Sequence, residues 1–466
     1  MTAIRTETDS LGAIGIPANA AWGAQTQRAI ANFPITGVPI SHYPELVIAL
    51  AQVKKSCALA NSELNGLSDE KANVIVAVCD EIIGGAHHDQ FVVDVMQGGA
   101  GTSTNMNTNE VVANLCLAKM GHRFGDYAHL HPNDDVNRAQ STNDVYPTAI
   151  RLAVLSKISP LIEVMYELTR SFDKKGAEFD SITKVGRTQL QDAVPMSLGA
   201  EFRGFATTIR EDVQRLRDLS QLLTEVNLGG TAIGTRINAP ANFGETAVSH
   251  LREITGEPLG VASDLIEASS DLGAFVMFSS TLKRVAIKLS KICNDLRLMS
   301  SGPRAGIGEI MLPPVQAGSS IMPGKVNPVI PEVVNQVCYQ AIGNDLTVTM
   351  AAEAGQFQLN AMEPVIIHKV LETMGSLTNV MAVLRERCVD GIVADEVRCK
   401  SLLENSLVHV TSLAPVIGYE AATKLAKHAQ SQGLSLAAAA APALSEQEAI
   451  LANEHLTHLT ERTANG

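Results

Sequence analysis

Long stretches of apolar residues recurring at steps of three and four dominate the middle of this chain. Ile158, Ile162, Met165, Leu168 and Phe172 keep that period, as do Leu198, Phe202, Phe205, Ile209, Val213, Leu216, Leu219 and Leu223. A third run covers Leu265 to Met299 and ends at Ser300-Ser301-Gly302-Pro303, a strong helix stop. Two more begin near Pro331 and Glu363. At 1.5 Å rise per residue, such runs predict helices up to roughly 40 Å long. Together they predict a mainly all-α chain with a long central helical bundle. Strand-like alternation is sparse, and no repeat of solenoid period is present.

The side chains available for that bundle are small. Aromatics number 11 Phe, 6 Tyr and one Trp, Trp22, so the core must be built from Ala, Val, Leu, Ile and Met. Lys and Arg total 36 against 49 Asp and Glu, a net charge of −13. That balance argues against nucleic acid, which needs a basic footprint, and against docking to anionic lipid. No apolar stretch reaches the ~20 residues that span a bilayer. Arg5, Glu7 and Asp9 precede any apolar run, so no signal peptide is visible. The seven cysteines (57, 79, 116, 293, 338, 388 and 399) are scattered singly, which predicts reduced, mostly buried thiols and a cytoplasmic protein.

A length prior of ~150 residues per domain suggests about three domains. We place them at 1–140, an N-terminal domain, at 141–395, the long-helix centre, and at 396–466, a small helical C-terminal domain. Residues 1–43 read as irregular. Helical pattern begins at Pro44-Glu45-Leu46 and again after Ser68-Asp69-Glu70, an N-cap with an acidic first turn. Gln97 to Asn109 reads as a loop too polar for the core. Ala437–Ala441 predicts a helix of high propensity, and Ser445-Glu446-Gln447-Glu448 is a capping box opening the last helix.

Four polar segments, three of them carrying glycine, interrupt the apolar pattern. They are Gly98–Asn109, Gln140–Thr148, Gly186–Pro195 and Gly318–Pro328. Backbone N–H, Ser, Thr and Asn donors can surround a carboxylate without bulk, and Arg187 and Lys325 would add positive charge. Each segment alone reads more readily as caps and turns. A phosphate loop is excluded, because Gly318 to Gly324 holds five intervening residues and Val326 stands where Ser or Thr should hold magnesium. Gly98-Gly99-Ala100-Gly101 lacks dinucleotide-binding spacing. His87-His88 adjoin in a charged stretch and read as surface, and the other histidines stand apart from Cys or acidic clusters, so no metal site is expected.

Gly318-Ser-Ser-Ile-Met-Pro-Gly-Lys-Val-Asn-Pro328 resembles the signature of the aspartase/fumarase superfamily, and the other three segments resemble further family segments in the same order. So does Gly12 to Phe33, with Ile16-Pro17 and Trp22-Gly23 inside it. The resemblance covers roughly residues 9 to 440. Within the superfamily it leans toward the aspartate ammonia-lyases, with class II fumarases second. Thr142 stands where fumarases usually carry a second Ser, Gln189 where they carry a His, and Val329-Ile-Pro-Glu-Val-Val-Asn335 follows the signature as in aspartases. Two departures are the fumarase-like wording of Trp22–Arg28 and Arg236, which stands where the family typically has Gly. An arginine there would either reshape the site or be a tolerated surface substitution.

The resemblance implies reversible conversion of L-aspartate to fumarate and ammonia. The hard step, loss of a Cβ proton beside a carboxylate, creates an aci-carboxylate that preorganised donors must stabilise. By residue-for-residue resemblance, Ser319 is the base. Thr102, Ser141, Thr142 and Ser320 would hold the β-carboxylate, and Lys325 and Asn327 the α-carboxylate with Thr188 nearby. Asn143 would contact the amino group with help from Gln189. Gly318 and Gly324 are natural hinges for a closing loop. The resemblance also implies a homotetramer with each site assembled from three subunits around a core of the long central helices. No organic cofactor is required, and Mg2+ is allowed as an activator. The alternatives are a class II fumarase, hydrating fumarate to L-malate, and an inactive scaffold of the same fold.

Overall fold

Helices follow where the period of 3.6 predicted them, and two hairpins appear where it did not. The computed structural model describes residues 3–318, 321–322 and 324–465. An antiparallel hairpin of β1 (Ile4–Asp9) and β2 (Gly12–Pro17) opens the chain, followed by α1 (Ala24–Asn32), α2 (Pro44–Glu63), α3 (Asp69–Ile83) and α4 (Thr102–Lys119). Then come α5 (Thr142–Glu178), the hairpin β3 (Thr183–Thr188) and β4 (Gln191–Ser197), α6 (Leu198–Ser220) and α7 (Phe243–Thr255). The long helices α8 (Gly273–Met299), α9 (Val329–Glu353) and α10 (Glu363–Arg387) follow. Shorter helices close the chain: α11 (Glu396–Glu404), α12 (Val410–Ile417), α13 (Tyr419–Gln432), α14 (Leu436–Ala443) and α15 (Glu446–Asn465). The fold is all-α in the main, and none of the described helices is long and apolar enough to cross a membrane.

Local signals hold at several starts. Ser68 Oγ accepts from the Lys71 amide, and the Ser445–Glu448 box closes in both directions. The alanine run lies in α14. All seven cysteines are free and buried.

Two expectations fail. Residues 1–43 are not irregular, because β1 and β2 pair from Ile4–Pro17 to Asp9–Gly12, with Asp9 Oδ1 accepting from the Leu11 amide in the turn. The Gln97–Asn109 segment is not a polar loop outside the core. It enters α4 at Thr102, and Thr104, Asn105, Asn107, Thr108 and Asn109 are buried. Several of these buried groups are given partners: Thr108 donates to the Thr104 carbonyl, Asn107 donates to the Gln90 carbonyl, and Asn107 Oδ1 accepts from the Val92 amide.

The chain forms two compact units. The first comprises Met1–Ile162, Gln214–Arg284 and Tyr339–Leu377. In it α2 packs against α3 and α7, and α4 packs against α1 and α3. Glu110 of α4 is buried and accepts from the amides of Gly23, Gln25 and Thr26 and from the Thr26 hydroxyl, fixing the start of α1. Lateral bonds tie the long helices: Ser279 and Lys283 of α8 donate to Asp345 of α9, while Asn344 donates to Thr373 of α10.

The second unit comprises Glu163–Val213, Val285–Cys338 and Thr378–Gly466. There Arg210 of α6 pairs with Asp173 of α5, Lys288 of α8 with Asp212 of α6, and Arg385 of α10 with Glu167 of α5. Asn335 of α9 donates to the Ser290 carbonyl and hydroxyl of α8. A backbone contact sets the α5–α6 approach: a Cβ on Gly199 would lie 2.2 Å from the Gly176 carbonyl oxygen. The terminal helices bury Leu413, Leu425, Leu436, Ala439, Ala440 and Ala452 together.

A buried carboxyl in the first unit gives a pH prediction. Burial pushes Glu363, at the start of α10, up to about 8, only partly offset by Arg151. Arg151 is itself buried, 5.4 Å from the Phe275 ring centroid. An acid raised in the folded state binds a proton that the unfolded chain has already released, so stability is lost as pH rises from the ordinary carboxyl value of 4.5 through about 8. Thermal unfolding of Glu363→Gln across that window is expected to show a visibly flatter decline of Tm than the parent. Parallel declines would contradict the assignment.

Candidate active site

Two polar helix starts meet in the first unit. Gly101, in the left-handed conformation at φ +85°, leads into α4, and any Cβ there would fall 2.6 Å from the Tyr146 ring of α5. Glycine is therefore required for the two helix starts to approach. Asn105, one turn into α4, donates to Thr142 Oγ1 at 3.0 Å. Thr102, Ser141, Thr142 and Asn143 are thus gathered at adjoining N-termini, where free N–H groups and the helix dipole favour an anion. Thr102 is exposed and the other three are half-buried.

The turn before α5 is held from below by a residue that sequence reasoning passed over. Asp144 is fully buried and accepts from the amides of Ser141 at 2.9 Å, Gly229 at 3.1 Å and Thr231 at 2.9 Å. Burial pushes its carboxyl up to about 6 against these three bonds. The Ser141-x-x-Asp144 spacing is a capping-box signal and could have identified it. Lys54 of α2 was also missed. It is fully buried, burial pushes it down to about 8, and it donates to Asn137 Oδ1 and Gln140 Oε1, each at 2.8 Å. Its signal was a lysine on the apolar face of α2.

Asn143 is oriented on both sides. Its Nδ2 donates to the Ala232 carbonyl at 2.8 Å, and its own carbonyl accepts from Asn227 at 2.9 Å. Arg236, in the same loop, is committed elsewhere: its guanidinium forms a bidentate pair with Glu245 of α7 at 2.7 and 2.8 Å. Of the two readings of that residue, the geometry supports a surface ion pair.

In the second unit, Thr188 and Gln189 lie exposed at the tip of the β3–β4 hairpin. Gln189 and Leu190 both have positive φ, +55° and +61°, the conformation of a two-residue type I′ turn. The positive charge expected from Arg187 is not available to a ligand in the way foreseen. Arg187 pairs with Glu309 at 2.8 Å, and Lys184 pairs with the same buried carboxylate at 3.0 Å. Lys325 is instead exposed, and Asn327 is half-buried in the segment leading into α9. Gly318 is clamped, since a Cβ there would lie 1.7 Å from the Lys325 carbonyl oxygen, whereas Gly324 has φ +82° and, among the described residues, nothing within 4 Å of a Cβ placed there. Ser319 and Ser320 lie outside the described residues.

A family model described as a lyase matches residues 12–343. The chain accordingly belongs to this family of lyases, the aspartase/fumarase superfamily. An aspartate ammonia-lyase from Pseudomonas fluorescens is 60% identical over 92% of this chain and 90% of its own, and one from Escherichia coli strain K12 is 55% identical over 89% and 87%. A structure described as fumarate lyase:delta crystallin from Brucella melitensis bound to cobalt superimposes with TM-score 0.94 at 55% identity, covering 98% and 99% of the two chains. A class II fumarase from Schistosoma mansoni gives TM-score 0.89 at 33% identity, covering 94% and 95%. The place of the chain within the superfamily is among the aspartate ammonia-lyases.

Proposed function

We propose that the chain deaminates L-aspartate reversibly to fumarate and ammonia through an aci-carboxylate. The observation that carries this reading is the Ser141-Thr142-Asn143 turn, whose donors are aligned by buried Asp144 at a helix start. Thr102, Ser141, Thr142 and Ser320 bind the β-carboxylate. Lys325 and Asn327 bind the α-carboxylate, with Thr188 beside them. The Asn143 amide, with Nδ2 held by Ala232, presents Oδ1 to the substrate ammonium, and Gln189 assists by hydrogen bonding. Ser319, as the alkoxide, takes the Cβ proton. The electron pair moves into the β-carboxylate, where the donors stabilise the second charge. Its return forms the Cα–Cβ double bond as the C–N bond breaks and ammonia leaves. Proton abstraction and C–N cleavage call for no organic cofactor. Mg2+ as an activator is part of the proposal.

The working species is a homotetramer with sites shared among three subunits, and its core is the long-helix segment 141–395. Supporting this, Tyr339, Leu346 and Met350 of α9 are 58%, 60% and 65% exposed. With exposed Gly343 they fall on one helical face, an apolar stripe that a neighbouring subunit would cover. Thr102, Thr188, Gln189 and Lys325 are likewise open to a neighbour. The cytoplasm is the proposed compartment, on the strength of seven buried free thiols.

Fumarate absorbance followed separately with L-aspartate and with L-malate tests the reading. Fumarate from L-aspartate is expected. Fumarate from L-malate alone would replace the proposal with class II fumarase, and inertness of a folded tetramer toward both would replace it with a scaffold.

A further inference from the structure

We infer that His122, Asp126 and His129 form a binding site for a transition-metal ion of the zinc class, Zn2+, Co2+ or Ni2+, in the loop that follows α4. One donor atom from each side chain lies within 4.8 Å of the other two. Asp126 Oδ2 stands 3.8 Å from His122 Nδ1 and 3.8 Å from His129 Nε2, and the two imidazoles stack at 3.7 Å between centroids with an 11° interplanar angle. These separations are too long for hydrogen bonds, so the three groups converge without satisfying one another. Metal–nitrogen bonds of about 2.0–2.1 Å put tetrahedral donors roughly 3.3 Å apart, and an ion must lie in the plane of each imidazole, so closure draws Asp126 in by about 0.5 Å and turns the two stacked rings out of parallel. Asp126 and His129 are each more than 40% exposed at the side chain, which leaves room for that rotation and for water as the remaining ligand.

The backbone explains the convergence. Gly121 at φ +83° ends α4, and the His122 amide donates back to the Leu117 carbonyl, a Schellman closure that reverses the chain. Turns then carry the Asp126 amide to the Arg123 carbonyl and the His129 amide to the Asp126 carbonyl. The Gly125 amide is anchored on Asn114 Oδ1 at 2.7 Å, and the Tyr127 hydroxyl donates to Glu7 at 3.1 Å. His131 is not a ligand, because its Nδ1 accepts from the Asn133 and Asp134 amides.

Two imidazole nitrogens and one carboxylate oxygen select against Mg2+ and Ca2+, which prefer all-oxygen shells. The site is therefore separate from any magnesium activation. Because Glu7 also accepts from the Ala24 amide at the start of α1, an ion that stiffens this loop would stiffen the N-terminal assembly with it.

The test uses the untagged, chelator-treated full chain and cobalt chloride as the probe. Saturable visible d–d absorption at one Co2+ per chain is expected, displaced by Zn2+ but not by excess Mg2+, with a rise in Tm on Zn2+ addition. His122→Ala and His129→Ala are expected to weaken Co2+ binding by at least about tenfold, and Asp126→Asn to a lesser degree. These positions are part-exposed, and each variant is checked for unchanged metal-free Tm. Unaltered Co2+ affinity in the folded His122→Ala/His129→Ala double variant, or no saturable binding by the parent, would overturn the assignment. None of these readouts depends on lyase activity.

Discussion

Ser319→Ala is expected to lower turnover of L-aspartate by about 10^3-fold while leaving substrate binding within a fewfold of the parent. A positioned base contributes roughly 10^2–10^4 to a proton transfer, and alanine cannot accept a proton at all. The carboxylate contacts assigned to Thr102, Ser141, Thr142, Lys325 and Asn327 are untouched by the change. KM and inhibition by a non-reacting dicarboxylate therefore report whether the cradle survives, and kcat reports the base. Parent-like turnover by Ser319→Ala would end the role of that hydroxyl as base.

Asp144→Asn is the second large effect, and it acts without touching substrate. The carboxylate accepts three amide hydrogens from two separate loops, at 2.9, 3.1 and 2.9 Å. An asparagine has one acceptor oxygen, so its NH2 must face at least one of those amides, replacing attraction by repulsion and leaving a buried donor unpaired. The Ser141-Thr142-Asn143 donors then lose their footing. A displacement of the order of 1 Å at a catalytic cradle costs about 10^2-fold, and that is the expected fall in kcat/KM, accompanied by a lower Tm. Steady-state kinetics on the folded variant check it. A kcat/KM within about threefold of the parent would show that the three bonds do not position the turn.

The period of 3.6 made the long helices legible, and the string from Gly318 to Pro328 made the chemistry legible through its resemblance. What escaped did so for physical reasons. The β1–β2 hairpin alternates too weakly to register, since Ile4 and Leu11 are exposed and only Ile16 is fully buried. The polar start of α4 looked like a loop because composition cannot report that Thr104 or Asn107 has a partner waiting 7 or 17 residues away. Arg187 looked like a ligand-binding cation because its counter-charge, Glu309, is more than a hundred residues distant in sequence. The same blindness hid His122 and His129 from Asp126, although only a few residues separate them. Their meeting depends on two reversals set by Gly121 and Gly125 at positive φ.

The tip of the β3–β4 hairpin stores local backbone strain. Two side-chain-bearing residues, Gln189 and Leu190, occupy a turn that Asn-Gly would adopt with far less resistance, at a cost of roughly 1–2 kcal/mol for each left-handed residue. That strain holds a protruding amide and an exposed leucine at the tip, open to a ligand or a neighbouring subunit.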